Sequence, residues 1–247
     1  MKERSKKGLI VLLLVAILVV VFLAAVLLKM RSETNRMTPV GTGEIVPGVS
    51  AIADAYVNLY LVQTDDGFIA IDAGNDLETV LAGLQTLSID PSAIKAVLLT
   101  HSDYDHTAAI GAFTEAEVFL PEAEIQMIDG RTKRFLFFGN TLDVDYTAIS
   151  DKQVLHLGGR TIQCIATPGH TPGAMSFLVD NRYLFTGDTM SIKEGKIGPF
   201  NEIFNMDTDT QLASLRRLRQ LETVTHIFTA HYGYTDQLPE AYSGLDQ

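Results

Sequence analysis

Cysteine is all but missing from this chain. The 247 residues contain one, Cys164, so an intramolecular disulfide is excluded. It sits in the strand-like run from Thr161 to Ala166, which reads as a buried structural thiol. Basic charge is scarce beyond the first 36 residues. Up to Arg36 there are seven basic and two acidic residues; from Met37 onward there are twelve and twenty-eight. An acidic body of this kind argues against a nucleic-acid backbone as its partner.

Charge is absent altogether from Gly8 to Leu28, where Leu, Val, Ile, Ala and Phe fill nearly every position. As a helix, these residues span about 30 Å, the thickness of a bilayer core. The run is longer than the apolar core of a cleaved signal, and Leu27-Leu28-Lys29-Met30 offers no small-x-small cleavage site. It reads as a single-pass membrane anchor. Four basic residues precede it (Lys2, Arg4, Lys6, Lys7) and three follow (Lys29, Arg31, Arg36). That bias predicts a cytoplasmic N-terminus and an extracytoplasmic body at the cell membrane. The expected organisation is a basic N-terminus at 1–7, an anchor at 8–28, a linker at 29–43 and one globular domain at 44–247.

Within the body, strands are predicted at 45–52, 55–62 and 68–72. Asp65-Asp66-Gly67 turns the last pair. A helix capped by Asn75 or Asp76 carries Leu77, Val80, Leu81 and Leu84, and a strand at 96–100 completes a strand–helix–strand unit. A helix is expected over 105–114, a strand at 117–120 and a helix opened by Pro121-Glu122. Residues 129–150 lack a clear period and read as a lid or an aromatic-plugged surface loop. Two hairpins follow, over 154–166 and 175–185. Thr208 and Gln211 fit a capping box ahead of the apolar stripe Leu212, Leu215, Leu218 and Leu221. A last strand runs from His226 to Ala230. The pattern is α/β, with a mixed sheet in each half and a site where the halves meet.

The chemistry concentrates in Thr100-His101-Ser102-Asp103-Tyr104-Asp105-His106. Four ligand-type side chains in six residues repel and desolvate one another unless a cation offsets them. The segment follows an apolar strand, and so do Asp72 (Ile-Asp-Ala-Gly), Asp188 (Thr-Gly-Asp-Thr) and His231 (Ala-His-Tyr-Gly). His170 lies in the rigid turn Gly-His-Thr-Pro-Gly. Polar residues gathered repeatedly at strand ends point to one cleft. His156 and His226 lie within strands and read as structural.

These five motifs, in this order over 44–236, resemble the metallo-β-lactamase superfamily. The resemblance implies an αββα sandwich behind the transmembrane helix. It implies a hydrolase with two divalent metal ions, zinc first. His101, Asp103 and His170 would form one metal site; Asp105, His106 and His231 would form the other. Asp188 would bridge the metals, and Asp72 would orient a ligand by hydrogen bonds. Two metals would share a water, lower its pKa to about 7 and polarise a scissile carbonyl or phosphoryl oxygen. Asp105 and Asp188 are the candidate catalytic residues. The implied substrate is a small ester, lactone, thioester or phosphoester. Asp103 stands where the family usually has a second histidine. Its hard oxygen leaves iron or manganese open and makes a di-iron redox protein of the flavodiiron kind the alternative, beside a non-catalytic metal-binding module. No flavin domain, no glutathione-binding helical domain and no nuclease insertion is expected. Oligomeric state is not legible in the sequence.

Overall fold

The protein is described from a computed structural model covering residues 2–134, 137 and 139–246; for residues 2–7 and 11 only the backbone is described. The chain forms two compact units, 1–37 and 38–247. The first is helix α1 (Lys2–Thr34). Its stretch Gly8–Thr34 is long and apolar enough to cross a membrane. The helix runs on through Lys29–Thr34, the first part of the segment read as linker.

The second unit contains two large sheets. Strands β1 (Gly43–Val46), β2 (Val49–Asp54), β3 (Val57–Gln63), β4 (Phe68–Ile71), β5 (Ile94–Leu98), β6 (Glu117–Pro121) and β7 (Thr147–Ile149) lie side by side in chain order. The first four pair antiparallel and the last three join in parallel. The second sheet takes β8 (Val154–Leu157), β9 (Arg160–Ala166), β10 (Met175–Val179) and β11 (Tyr183–Phe185). A separate hairpin of β12 (Met190–Lys193) and β13 (Lys196–Pro199) follows. Strands β14 (His226–Phe228) and β15 (Tyr234–Thr235) then return to the second sheet, whose order is β15-β14-β11-β10-β9-β8.

Three apolar interfaces define the layers. Tyr60, Ile71, Leu98 and Phe119 of the first sheet meet Ile162, Phe177, Phe185 and Phe228 of the second. On its other face the first sheet buries Leu59, Leu61 and Val97 against helix α2 (Leu77–Thr86), through Val80 and Leu84. The second sheet buries Ile165, Leu178 and Leu184 against Leu215 and Leu218 of the helix at Thr208–Leu218. Strands buried on both faces read as continuous apolar runs rather than alternating ones. The architecture is therefore an αββα sandwich. Cys164 is buried in its central layer.

Several predicted elements differ in detail. Pro47-Gly48 turns the chain, so that the strand predicted at 45–52 is two paired strands. The helix expected over 105–114 is one turn, α3 (Tyr104–Thr107), followed by a 3-10 turn at Ile110–Ala112. Asp76 caps α2 by accepting from the Thr79 amide. Leu77 and Leu81, expected in its apolar stripe, are exposed. The helix at Thr208–Leu218 is capped by Asp207, which accepts from the Thr210 amide, not by a Thr208–Gln211 box. Gln211 is instead buried and turned toward the site. Of the aromatic stretch in 129–150, Phe135 and Phe138 lie outside the described residues.

Candidate metal centre

The site sits where the strand ends of both sheets converge. Asp72 follows β4, the 101–106 segment follows β5, and His170 lies between β9 and β10. Asp188 follows β11 and His231 follows β14. The turn around His170 depends on glycine. A Cβ on Gly169 would come within 2.3 Å of Gln211, and one on Gly173 within 2.2 Å of the Glu124 backbone nitrogen.

All seven residues expected as ligands come together. Asp188 lies at the centre, nearly fully buried. Its Oδ1 faces His231 Nε2 at 3.1 Å and His106 Nε2 at 3.5 Å. Its Oδ2 faces His170 Nε2 at 3.3 Å and His101 Nε2 at 4.0 Å. Asp105 Oδ2 is 3.5 Å from His231 Nε2 and 3.8 Å from His106 Nε2. Asp103 Oδ2 is 3.0 Å from His170 Nε2 and 3.6 Å from His101 Nε2. The donors thus fall into two groups, His101–Asp103–His170 and Asp105–His106–His231, with one oxygen of Asp188 turned to each. His156 and His226 stand outside, hydrogen-bonded to Thr161 and Thr225.

The hydrogen-bond network assigns the tautomers. His106 Nδ1 meets Asp72 Oδ2 at 2.8 Å, and His231 Nδ1 meets the Tyr56 carbonyl at 2.6 Å. His101 Nδ1 meets Thr100 Oγ1 at 3.0 Å, and the Thr100 hydroxyl is already donated to Asp72. Each Nδ1 therefore carries a proton, and in the neutral ring each Nε2 presents a lone pair inward. His101, His106 and His231 Nε2 and Asp188 Oδ1 are buried without a hydrogen-bond partner. With the rings neutral, these four buried atoms are acceptors aimed at one space and fit divalent cations; without a cation, protons on His106 and His231 offset the carboxylates instead.

Asp72, expected to orient a ligand, lies against His106 Nδ1. It also accepts from the Thr100 amide at 2.7 Å and sits at φ +62°, a left-handed conformation costly for a residue with a Cβ. Replacing Asp72 by alanine frees the His106 ring and leaves the Thr100 amide unpaired. A loss of about 10- to 100-fold in metal affinity is expected, to be read by competition with a chelator; unchanged affinity would refute this role.

Electrostatics follow the same geometry. Burial works against charging His106, but Asp72, Asp188 and Asp105 override it and hold the imidazole well above the ordinary histidine range. His231 is raised in the same way, against burial, by Asp188 and Asp105. Burial would raise the Asp188 carboxyl, yet His231, His106 and His170 hold it well below the usual range. Asp103 is held low against burial by His101, His170 and Arg134. His170 is lowered, chiefly by burial.

Three supporting residues were not anticipated. Glu124, near the start of the helix predicted from Pro121-Glu122, is fully buried. It accepts from the Ser102 amide at 3.0 Å, the Ser102 hydroxyl at 2.7 Å and the Thr171 hydroxyl at 2.7 Å. It thereby ties the 101–106 segment to the His170 turn. Gln211 donates to the Asp188 carbonyl at 2.9 Å and accepts from the Phe200 amide at 2.9 Å. Arg134, from the segment without period, donates to Asp103 Oδ2 at 2.6 Å. Local sequence carries no sign of these pairings, although Glu124 was a visible acid in a mostly apolar stretch.

Comparison with known proteins bears on the family and the fold. A family model described as the metallo-beta-lactamase superfamily matches residues 53–231. The probable polyketide biosynthesis zinc-dependent hydrolase BaeB of Bacillus velezensis is 34% identical over 125 residues, 49% of each protein. The chain therefore matches about half the length of that relative. The hydroxyacylglutathione hydrolase of Glaesserella parasuis is 27% identical over 188 residues, 76% of this chain and 69% of that protein. A metallo-beta-lactamase of Cronobacter sakazakii with a HARLDQ motif superimposes with a TM-score of 0.60 at 26% identity, covering 81% of both chains. With a family match over most of its globular unit and the sandwich that match implies, the chain belongs to the metallo-beta-lactamase superfamily.

Proposed function

We propose that the protein is a metal-dependent hydrolase of a small ester, lactone, thioester or phosphoester. One observation carries the reading: three histidine Nε2 atoms and a carboxylate oxygen lie buried, unpartnered and convergent. Asp105, His106, His231 and Asp188 would hold one divalent metal, and His101, Asp103, His170 and Asp188 a second. Bound there, such ions would supply a water activated at neutral pH and polarise the carbonyl or phosphoryl oxygen of the substrate. The chain's own part is to fix the imidazoles through Asp72, Thr100 and the Tyr56 carbonyl, and to wall the site with apolar surface. The Phe200 ring lies 5.1 Å from both His170 and His231, and the Tyr56 ring stacks on His231 at 5.7 Å. Asp105, the most exposed carboxylate of the cluster at 18%, would also orient the attacking water. Zinc is the first metal to test, because BaeB is named a zinc-dependent hydrolase.

A thioester is the first substrate class to test, since one relative is named a hydroxyacylglutathione hydrolase. The test is a panel of acyl thioesters, lactones, simple esters and phosphodiesters, each assayed with and without metal. Metal-dependent turnover of at least one class is expected; none across the panel defeats the reading. We also read α1 as a membrane anchor, on its length and the uncharged run from Gly8 to Leu28. The protein should stay with the membrane fraction through an alkaline wash, and release by that wash counts against an anchor.

A further inference from the structure

Asp103 is where this chain departs from the superfamily's usual histidine, and Arg134 is what the fold sets against it. His170 Nδ1 faces Asn205 Oδ1 at 3.3 Å. Asn205 Nδ2 donates to Gln211 Oε1 at 2.7 Å, so its Oδ1 is the acceptor and His170 Nε2 bears a lone pair. That lone pair lies 3.0 Å from Asp103 Oδ2. Two acceptors so close repel each other unless a donor or cation lies against both. Arg134 Nη2 does so, at 2.6 Å from Asp103 Oδ2 and 3.3 Å from His170 Nε2. Its Nη1 donates to the Phe204 carbonyl. The other carboxylate oxygen, Asp103 Oδ1, accepts from Asn140 Nδ2 at 2.8 Å. This is not a solvated surface pair. The Arg134 and Asp103 side chains are 13% and 16% exposed, and Arg134 Nε is buried without an acceptor. The guanidinium therefore depends on Asp103 to offset its desolvation.

The other donor group is different. Among the described residues, the ion pairs of Asp105 and Asp188 are all with histidines. The chain brings a cation of its own to one group and none to the other.

We propose that Arg134 is a tethered cation that keeps the His101–Asp103–His170 group closed to metal. The protein then takes one divalent ion at Asp105, His106, His231 and Asp188, and a second only when the guanidinium withdraws from Asp103. This inference rests on the metal-centre reading above.

The test is zinc uptake by metal-free, full-length protein in detergent, at buffered free Zn2+, with bound zinc counted by mass spectrometry. The wild type is expected to bind one equivalent tightly and to need about tenfold or more free zinc for the second. Arg134→Met keeps the stem and removes the charge, so it should fill both groups over one range. A second measurement needs no variant. Labelling of Arg134 in the wild type by phenylglyoxal should be slow with one zinc bound and faster once the second enters. Two equivalents of matched affinity in the wild type, with Arg134 labelling unchanged between them, would overturn the proposal while leaving the metal centre standing. No zinc uptake by either protein would remove both.

Discussion

Asp188→Ala is expected to lose metal and turnover together, with activity falling on the order of 10³-fold or more, as for residues that act as a unit. The reason is its position between the two donor groups. One carboxylate oxygen faces His106 and His231, and the other faces His170 and His101. Its loop cannot supply a substitute, because Gln211 clamps the Asp188 carbonyl and holds the turn in place. Alanine would leave the imidazoles in position with their shared anion gone, so both groups lose a ligand at once. Metal content and turnover measured on the same preparation decide the matter. A variant that kept its metal and its rate would show that Asp188 is not the bridge.

Metal removal is the second large effect. Ligand held at about 1,000 times its dissociation constant stabilises a fold by about 4 kcal/mol. For a domain of this size that is a fall of about 8–16 °C in melting temperature on chelation, with turnover lost and restored by added metal. The pH dependence has a definite sign. In the metal-free protein His106 and His231 are held above the ordinary histidine range. Their contribution to stability is complete below the unfolded histidine value, about 6.5, and is lost as pH rises through their folded values. Asp103 and Asp188 are depressed. Their contribution is present above the unfolded value, about 3.9, and is lost as pH falls through their folded values. Metal must displace the histidine protons, so binding releases protons and tightens as pH rises from about 6.5. The melting-temperature gap between loaded and metal-free protein should widen in that direction. Calorimetric titration in two buffers of different ionisation heat reads the protons; uptake with none released contradicts the assigned charge states.

Much of this was legible because the site is written at strand ends. Asp72, His101, Asp188 and His231 each follow an apolar run that could only be a strand, so their gathering could be inferred without contacts. The α/β layout with a sheet in each half was legible for the same reason, whereas the layered sandwich was implied by the family resemblance. What escaped notice depends on tertiary partners. Gln211 sits three residues after Thr208 and satisfies a helix-start pattern, but burial against Asp188 and Phe200 gives its amide better partners than a cap. The hairpin of β12 and β13 has few apolar residues and packs beneath the C-terminal helical segments, so periodicity does not reveal it. Arg134 meets Asp103 across 31 positions of irregular chain. A salt bridge of that span has no local signature.

The anchoring of His231 has a kinetic consequence. Its ring is tied to the Tyr56 carbonyl across 175 positions. The Tyr60 hydroxyl reaches the Thr229 carbonyl across 169. Closing loops of that length is slow and comes late, after local pairing has been established. During synthesis the ribosome must release the strand before His231 and let it dock beside β11 before the last imidazole faces the others. A metal that needs His231 as a ligand would therefore be held in full only after that strand has docked, and would act by locking the native state against unfolding.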